Sequence, residues 1–225
     1  MPVNKSLVFA ARTVMCAIVS AGSLAACGGD RHEPVDTSKI FKVKSTFGEG
    51  FKTVTKGPAD INPKMLGPEK FPPGVKFDPE DCRDQVDTGR LPKGTRGRMS
   101  VLAADGEGNR FTVIAVQANE KVPYDAEAAK KCGHVTFQAG KITGYVDEVD
   151  APQINGAETT GSHRQIEATV GDKQASTEAY TFAAYLGDLV VFVTAGAKQP
   201  KGQPPAPIDT DRARQLLTDS VAALR

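Results

Sequence analysis

Three long runs of residues near the end of the chain most constrain its fold. Within the second run, apolar side chains alternate with Thr181 and Ala183, as in a strand that buries one face. Short glycine-containing turns between such runs are typical of antiparallel hairpins. The pattern therefore predicts an antiparallel meander. Its runs span 159–170, 175–186 and 189–195, and Gly171-Asp172 and Gly187-Asp188 separate them.

The other segments predict an α+β fold. A hairpin is expected around the loop at residues 105–109, and a C-terminal helix from about Asp209. We expect one curved antiparallel sheet, made of this hairpin plus the meander, with short flanking helices. The further expectations are a helix starting at Asp36 or Thr37, a strand at 51–55, loop-like chain over 56–79, a helix begun by Asp78-Pro79, strands at 98–104 and 110–118, a helix at 125–131, and strands at 134–138 and 141–149.

The N-terminus has the pattern of an export signal. Lys5 and Arg12 precede an uncharged stretch at 13–26, which is shorter than the roughly 20 apolar residues needed to cross a bilayer. Leu24-Ala25-Ala26-Cys27 then matches the bacterial lipobox, in which the cysteine thiol is lipidated and the leader is cut before it. We therefore predict a signal peptide at 1–26, a lipidated Cys27 with a tether over 27–36, and a single domain at 37–225.

The remaining cysteines form an even pair. Cys16 leaves with the leader and Cys27 carries lipid, so Cys82 and Cys132 remain in an oxidising compartment. Such a pair predicts a disulfide. A metal site that includes His134 is the alternative, although no CxxC pair or second nearby histidine accompanies it.

Composition and charge exclude some classes of partner. The 225-residue chain carries a net charge of +1, which becomes −1 when Lys5 and Arg12 leave with the leader. It has no basic arm and no basic residues interleaved with aromatic ones, so we expect no nucleic-acid binding. We identify no cofactor motif and no metal-ligand set.

Catalytic candidates are limited to carboxylates. Ser162 and His163 are adjacent, so in a strand they point to opposite faces and cannot act as nucleophile and base; His163 is expected on the strand surface. The acidic run Asp147, Glu148 and Asp150 is typical of a solvated strand end. Glu167 and Glu178 are expected to face each other across the Gly171 turn. No catalytic residue is predicted.

Four motifs carry a resemblance: the lipobox and the segments 71–82, 106–116 and 209–217 (FPPGVKFDPEDC, GEGNRFTVIAV and DTDRARQLL). The chain resembles a family of mycobacterial envelope lipoproteins and, more remotely, the extracellular sensor domain of PknH-type Ser/Thr kinases. The resemblance implies a disulfide-stapled α+β fold with a ligand-accepting cleft. It implies no catalytic residues, and this chain has one candidate disulfide pair where the kinase sensor has two.

Together these features predict a non-enzymatic, sensor-like lipoprotein on the outer face of the cell membrane. Its expected partners are the membrane, through the lipid on Cys27, and an unidentified small molecule, glycolipid or envelope protein. Two alternatives stay open. The first is an envelope hydrolase that uses Asp147, Glu148 or Glu167, and the second is a structural interaction protein with an exposed apolar patch in place of a cavity.

Overall fold

The computed structural model describes residues 34–66, 74–83, 86, 91–171, 173–198 and 205–225. The predicted leader and Cys27 lie outside these residues. The segment Pro34–Arg225 forms one compact unit. Within the described part of the chain, no helix has the length and apolar character needed to cross a membrane.

An open sheet of nine antiparallel strands dominates the described part of the chain. The strands span β1 Phe51–Asp60, β2 Lys76–Asp78, β3 Gly97–Gly106, β4 Asn109–Ala118, β5 His134–Ala139, β6 Ile142–Glu148, β7 Glu158–Val170, β8 Lys173–Leu186 and β9 Leu189–Ala197. From edge to edge they are ordered β1-β3-β4-β9-β8-β7-β6-β5-β2, so β1 and β2 form the edges. The predicted meander is confirmed as β7, β8 and β9, with Gly171 and Gly187 at positive φ in the two turns.

The helices are short except at the C-terminus. A 3₁₀ helix at Thr37–Thr46 is capped by Asp36, whose side chain accepts a hydrogen bond from the Ser38 amide. The α-helices whose bounds the described residues define come later in the chain, α1 at Ala126–Lys131 and α2 at Thr210–Leu224. The predicted helix at the C-terminus is therefore confirmed. Shorter 3₁₀ helices occur at Pro63–Met65 and Glu80–Cys82.

Two local predictions are wrong. The loop expected at 56–79 contains the second half of β1, because an edge strand with a bulge between Lys56 and Ala59 accommodates Pro58. The helix predicted to begin at Asp78-Pro79 is present as the 3₁₀ helix Glu80–Cys82, but the predicted cap is wrong: Asp78 is the last residue of β2 and pairs with Thr136, so Pro79 takes the N-cap position.

Helices cover one face of the sheet, which we call the helix face. There α2 and the N-terminal 3₁₀ helix pack on buried side chains of the central strands, including Leu102, Phe111, Val113, Phe182, Val191 and Val193. On the opposite face, which we call the cleft face, a second cluster includes Val101, Ile114, Val116, Val190 and Phe192. The central strands are therefore buried on both sides.

A disulfide joins Cys82 to Cys132, as predicted, with Cα atoms 5.5 Å apart. It links the 3₁₀ helix at Glu80–Cys82 to the end of α1 and packs in a third cluster with Phe77, Val135 and Phe137. Since the two sulfurs are bonded to each other, the alternative of a metal site at Cys132 and His134 is wrong. No cluster of three metal-ligating side chains occurs among the residues that the structure describes.

Candidate binding cleft

A row of hydroxyl groups crosses the cleft face of the sheet. Ser162 lies opposite Thr181 on the next strand, Thr181 opposite Thr194, and Thr194 opposite Thr112. Residues directly opposite each other in antiparallel strands project from the same face. These four side chains therefore form one line across β7, β8, β9 and β4, which we call the hydroxyl row. The Oγ1 atoms of Thr181 and Thr194 are 3.3 Å apart.

The hydroxyl row lies on the floor of a cleft of about 710 Å³. Ile114 and Ala183 add apolar surface to this floor. Proteins bind small molecules in cavities of roughly 300–1,000 Å³ lined by apolar side chains and a few polar groups. This cleft therefore has the volume and the lining of a ligand site. Its walls include Met65, Leu91, Pro92, Pro123, Tyr124, Ala129, Cys132 and Val146.

The disulfide fixes one wall of the cleft. Cys132 follows the last residue of α1 and lines the cavity together with Ala129 from the same helix. The side chain of Asp125 caps α1 by accepting a hydrogen bond from the Ala128 amide at 2.9 Å. The cap and the disulfide thus hold the two ends of this short helix.

Among the residues that the structure describes, one guanidinium group lines the cleft. Arg164 is half-buried on β7, two residues after Ser162 and on the same face, opposite Val146 and Ala179. Burial lowers the pKa of Arg164, because desolvation disfavours the charged form. Among the described residues, no carboxylate oxygen lies within 4.0 Å of its nitrogens.

The carboxylates of the cleft gather at α1. Glu148 lies opposite Ser162, and its Oε2 is 3.1 Å from the point that a Cβ on Gly133 would occupy. Burial raises the pKa of Tyr124, and the negative charge of Glu148 raises it further. The Tyr124 ring stacks on Tyr185, with centroids 5.2 Å apart. The Glu148 carboxylate therefore lies toward Gly133, at the end of α1, and it is not paired with Arg164.

The structure does not bring the predicted carboxylates together. Asp147 and Glu148 are neighbours on β6, so they project from opposite faces of the sheet. Asp147 contacts His134, and Glu167 accepts a hydrogen bond from Gln165 at 3.1 Å. Glu178 lies opposite Gln165 and not opposite Glu167, so the expected facing pair is wrong. Asp150 is exposed after β6 ends.

His163 differs from its predicted place on the surface. Its side chain is only 14% exposed, because it stacks on Tyr180 at 4.3 Å and meets the edge of Tyr145 at 5.6 Å. Its Nε2 is 2.8 Å from Oε1 of Glu178. Of these groups, Tyr145 also lines a depression of about 530 Å³ on the side of the sheet opposite the cleft, together with Lys76, Asp78, Thr136, Gln138, Gln165 and Glu167 among others.

Sequence reasoning missed the residues that form the cleft. None of Thr112, Arg164, Thr181 and Thr194 was predicted to be a site residue, since each is an ordinary polar residue in an alternating strand; Thr181 was named only as part of that alternation. Their alignment depends on β4 pairing with β9, strands that are about 70 residues apart in the chain. The alternation gives the face on which a side chain lies, but it does not give the neighbouring strand.

Comparisons with known proteins find a mycobacterial relative, as the motifs predict. A crystal structure of an uncharacterised protein from Mycobacterium smegmatis is 40% identical, with a TM-score of 0.77 over 85% of this chain and 97% of the other. The extracellular domain of PknH from Mycobacterium tuberculosis is 16% identical, with a TM-score of 0.42 over 85% of this chain and 98% of the other. A search of the curated proteins found no match. The model of a family described as a domain of unknown function, DUF5642, matches residues 36–225, and the chain belongs to that family.

Proposed function

We propose that the protein is a membrane-anchored, non-enzymatic lipoprotein of the cell envelope that binds a ligand in the cleft. The observation that carries this proposal is the cleft itself, of about 710 Å³, with a floor of hydroxyl and apolar groups. A disulfide-held wall keeps the cavity preformed, which lowers the entropic cost of binding. Such an anchored binding domain has the character of a sensor.

Two features support an extracytoplasmic location. The Cys82–Cys132 disulfide is of a kind that persists in oxidising compartments outside the cytoplasm. The sequence Leu24-Ala25-Ala26-Cys27 follows a basic and then apolar leader. Two or more acyl chains on Cys27 would anchor the domain stably at the membrane, whereas one chain binds only marginally.

The arrangement of carboxylates favours binding over hydrolysis. A glycosidase-type mechanism needs two carboxyl groups that flank one bond. Here Asp147 and Glu148 lie on opposite faces of the sheet, and the nearest partner of Asp147 is His134. In the cleft, Asp125 is occupied as the cap of α1. A binding role therefore fits the side chains better than acid–base chemistry.

The exposed surface also favours a cleft-based function over a purely structural one. Val54, at 57% exposure, is the one large hydrophobic side chain in the described part of the chain that is exposed. Interaction surfaces are usually contiguous apolar patches of several hundred Å². One isolated valine on an edge strand does not make such a patch.

Filling the cleft tests the proposal. Ala129→Trp places an indole in the cavity from α1, whereas Ala126→Trp places the same ring on the exposed side of that helix. Native mass spectrometry of the full chain mixed with an envelope lipid extract should detect a bound species for wild type and Ala126→Trp, with a loss of at least tenfold for Ala129→Trp. Equal occupancy in all three proteins, or none in wild type, would refute binding in the cleft.

The anchor is tested separately. Cys27→Ala should give protein that is unprocessed or released from the membrane, while Cys16→Ala, a matched change inside the leader, should leave processing unchanged. Intact mass and membrane partitioning of the exported protein distinguish these results. If Cys27→Ala partitions and is processed like wild type, the lipid attachment is wrong.

A further inference from the structure

Arg164 is the group in the cleft whose chemistry most restricts a ligand. Arginine stays protonated at physiological pH, so this half-buried side chain carries a full positive charge. Removing a charge from water is costly unless an opposite charge or several hydrogen-bond acceptors compensate it. Within the described residues no carboxylate supplies that compensation, which leaves the guanidinium available to a ligand.

A second arginine on the same face of the sheet, Arg110, does have a carboxylate partner. Arg164 lies opposite Ala179 on β8, Ala179 opposite Gly196 on β9, and Gly196 opposite Arg110 on β4. Arg110 therefore projects from the same face of the sheet as Arg164. Arg110 lies outside the cleft and donates two hydrogen bonds to the Asp105 carboxylate, at 2.6 and 3.0 Å. Of these two arginines, Arg110 therefore has an internal carboxylate partner, whereas Arg164 faces the cavity.

The surroundings of Arg164 suit an oxyanion at one end of an amphiphile. Ser162 is its neighbour on the same face of β7, and its hydroxyl group can donate to the same ligand. The fork of a guanidinium matches the two oxygens of a carboxylate or of a phosphate or sulfate ester. Beyond the hydroxyl row, the floor turns apolar at Ile114 and Ala183, and Tyr185 lies farther along β8.

We propose that the cleft binds an amphiphile with a single anionic head group, held by Arg164, and an apolar body that lies toward Ala183 and Tyr185. This inference rests on the proposed function, because it names the ligand class of the same cleft. Arg164 lies opposite Ala179 on β8, and Tyr185 is six residues farther along that strand, a distance of roughly 20 Å. This separation accommodates a medium-length chain or a ring system.

The acidic groups of the cleft explain the restriction to one anionic group. Glu148 lies against Gly133, and Asp125 caps α1, so both negative charges are at the α1 wall. Both carboxylates line the cavity beside Tyr124, whose pKa is raised by burial and, to a smaller extent, by the negative charge of Glu148. A ligand with a second anionic group would be repelled there, whereas an apolar body would not be.

Four soluble probes test this ligand class on the full chain carrying Cys27→Ala, a variant whose cleft no acyl group of its own can occupy. Octanoate supplies the anion and the chain, octyl glucoside the chain alone, acetate the anion alone, and nonanedioate a second anion. NMR titration should give the tightest binding for octanoate. Arg164→Gln should weaken octanoate at least tenfold and leave octyl glucoside unchanged, while the matched Arg110→Gln should leave both unchanged.

Other results of these titrations would overturn separate parts of the proposal. Equal affinity of octanoate for wild type and Arg164→Gln, with octyl glucoside bound, overturns the anionic class but leaves the cleft function standing. If acetate binds as tightly as octanoate, the ligand is a free anion and the amphiphile is overturned. If nonanedioate binds as tightly as octanoate, the restriction to one anionic group is overturned. Failure of all four probes overturns the ligand class. If Arg164→Gln does not fold, the salt dependence of binding to the wild type tests the proposal. Sodium chloride should weaken the binding of octanoate but not that of octyl glucoside. Equal salt dependence for the two probes refutes the proposal.

Discussion

The pair formed by Asp105 and Arg110 links one residue to the pH dependence of folding. The hydrogen bonds of Arg110 hold the pKa of Asp105 below its usual range, although Asp105 is 30% and Arg110 60% exposed. A carboxylate with a lowered pKa stabilises the folded state above its unfolded pKa of about 3.9, and this stability is lost as the pH falls through the folded-state pKa. Solvent screening limits the contribution to about 0.5 kcal/mol.

Asp105→Asn should therefore lower the free energy of unfolding by about 0.5 kcal/mol at pH 7. The difference from wild type should shrink as the pH falls below about 4, since protonation removes the same interaction in the wild type. Urea unfolding of both proteins at pH 7, 4 and 3 measures this difference in the free energy of unfolding. Asp60→Asn, at a site 93% exposed, is the control and should change little. A difference that stays constant with pH would contradict the assignment.

Gly144 on β6 shows how closely the strands approach the disulfide cluster. An added Cβ would lie 2.4 Å from the Gln165 carbonyl oxygen and 2.4 Å from the Phe137 ring. Gly144→Ala should cost about 1–3 kcal/mol, because a paired backbone carbonyl cannot move aside. Gly48→Ala has no atom within 4 Å of the new methyl and should be neutral or stabilise by up to about 1 kcal/mol. Thermal unfolding of both variants measures the difference, and equal shifts would contradict the clash.

At the level of single residues, the sequence predicted the disulfide, which depends on the number of cysteines, and missed the surroundings of side chains, which depend on neighbouring strands. The Cys82–Cys132 pair followed from the number of cysteines and the export signal, and it is confirmed. The environment of His163 did not follow, because the tyrosines that bury it come from β6 and β8. Arg164 was missed for the same reason.

The C-terminal helix α2 carries a local start signal that can be tested. Asp209 accepts a hydrogen bond from the Arg212 amide at 2.9 Å, and its own amide donates to Oδ1 of Asn109 at 3.0 Å. Asp209→Ala should cost about 1 kcal/mol and lower the melting temperature by about 2–4 °C. Asp209→Asn keeps an acceptor and should cost less. Equal losses in the two variants would show that the cap is not responsible.

Elements with local signals were predicted well. The helix α2 begins at its N-cap Asp209, as predicted, and buries one face, which includes Ala213, Leu216, Leu217, Val221 and Leu224. The first helix is a 3₁₀ helix, and its buried positions Thr37, Ile40 and Val43 recur every three residues, the period of that helix. Its start at Asp36 or Thr37 was predicted. The strand β2 was missed, because three residues rich in charge carry no strand pattern until β5 pairs with them.

Across the whole molecule, the cleft depends on contacts that are distant in sequence. Its floor crosses the junction of β4 and β9, and its α1 wall is joined to the 3₁₀ helix at Glu80–Cys82 by the disulfide. A complete sheet and an intact disulfide are therefore both needed to form the cavity. This is the physical reason why sequence predicted the fold class but not the residues of the site.

Breaking the disulfide tests this coupling. In the chain-entropy model, opening a loop of 50 residues should cost about 4 kcal/mol. The paired change Cys82→Ala with Cys132→Ala should therefore lower the free energy of urea unfolding by about that amount, and a reductant should do the same to wild type. The reductant should have no effect on the double variant, which serves as its control. Because Cys132 lines the cavity beside Ala129, the double variant should also bind octanoate more weakly. Unchanged stability on reduction would contradict the role of the disulfide, whereas lost stability with unchanged binding would show that the wall forms without it.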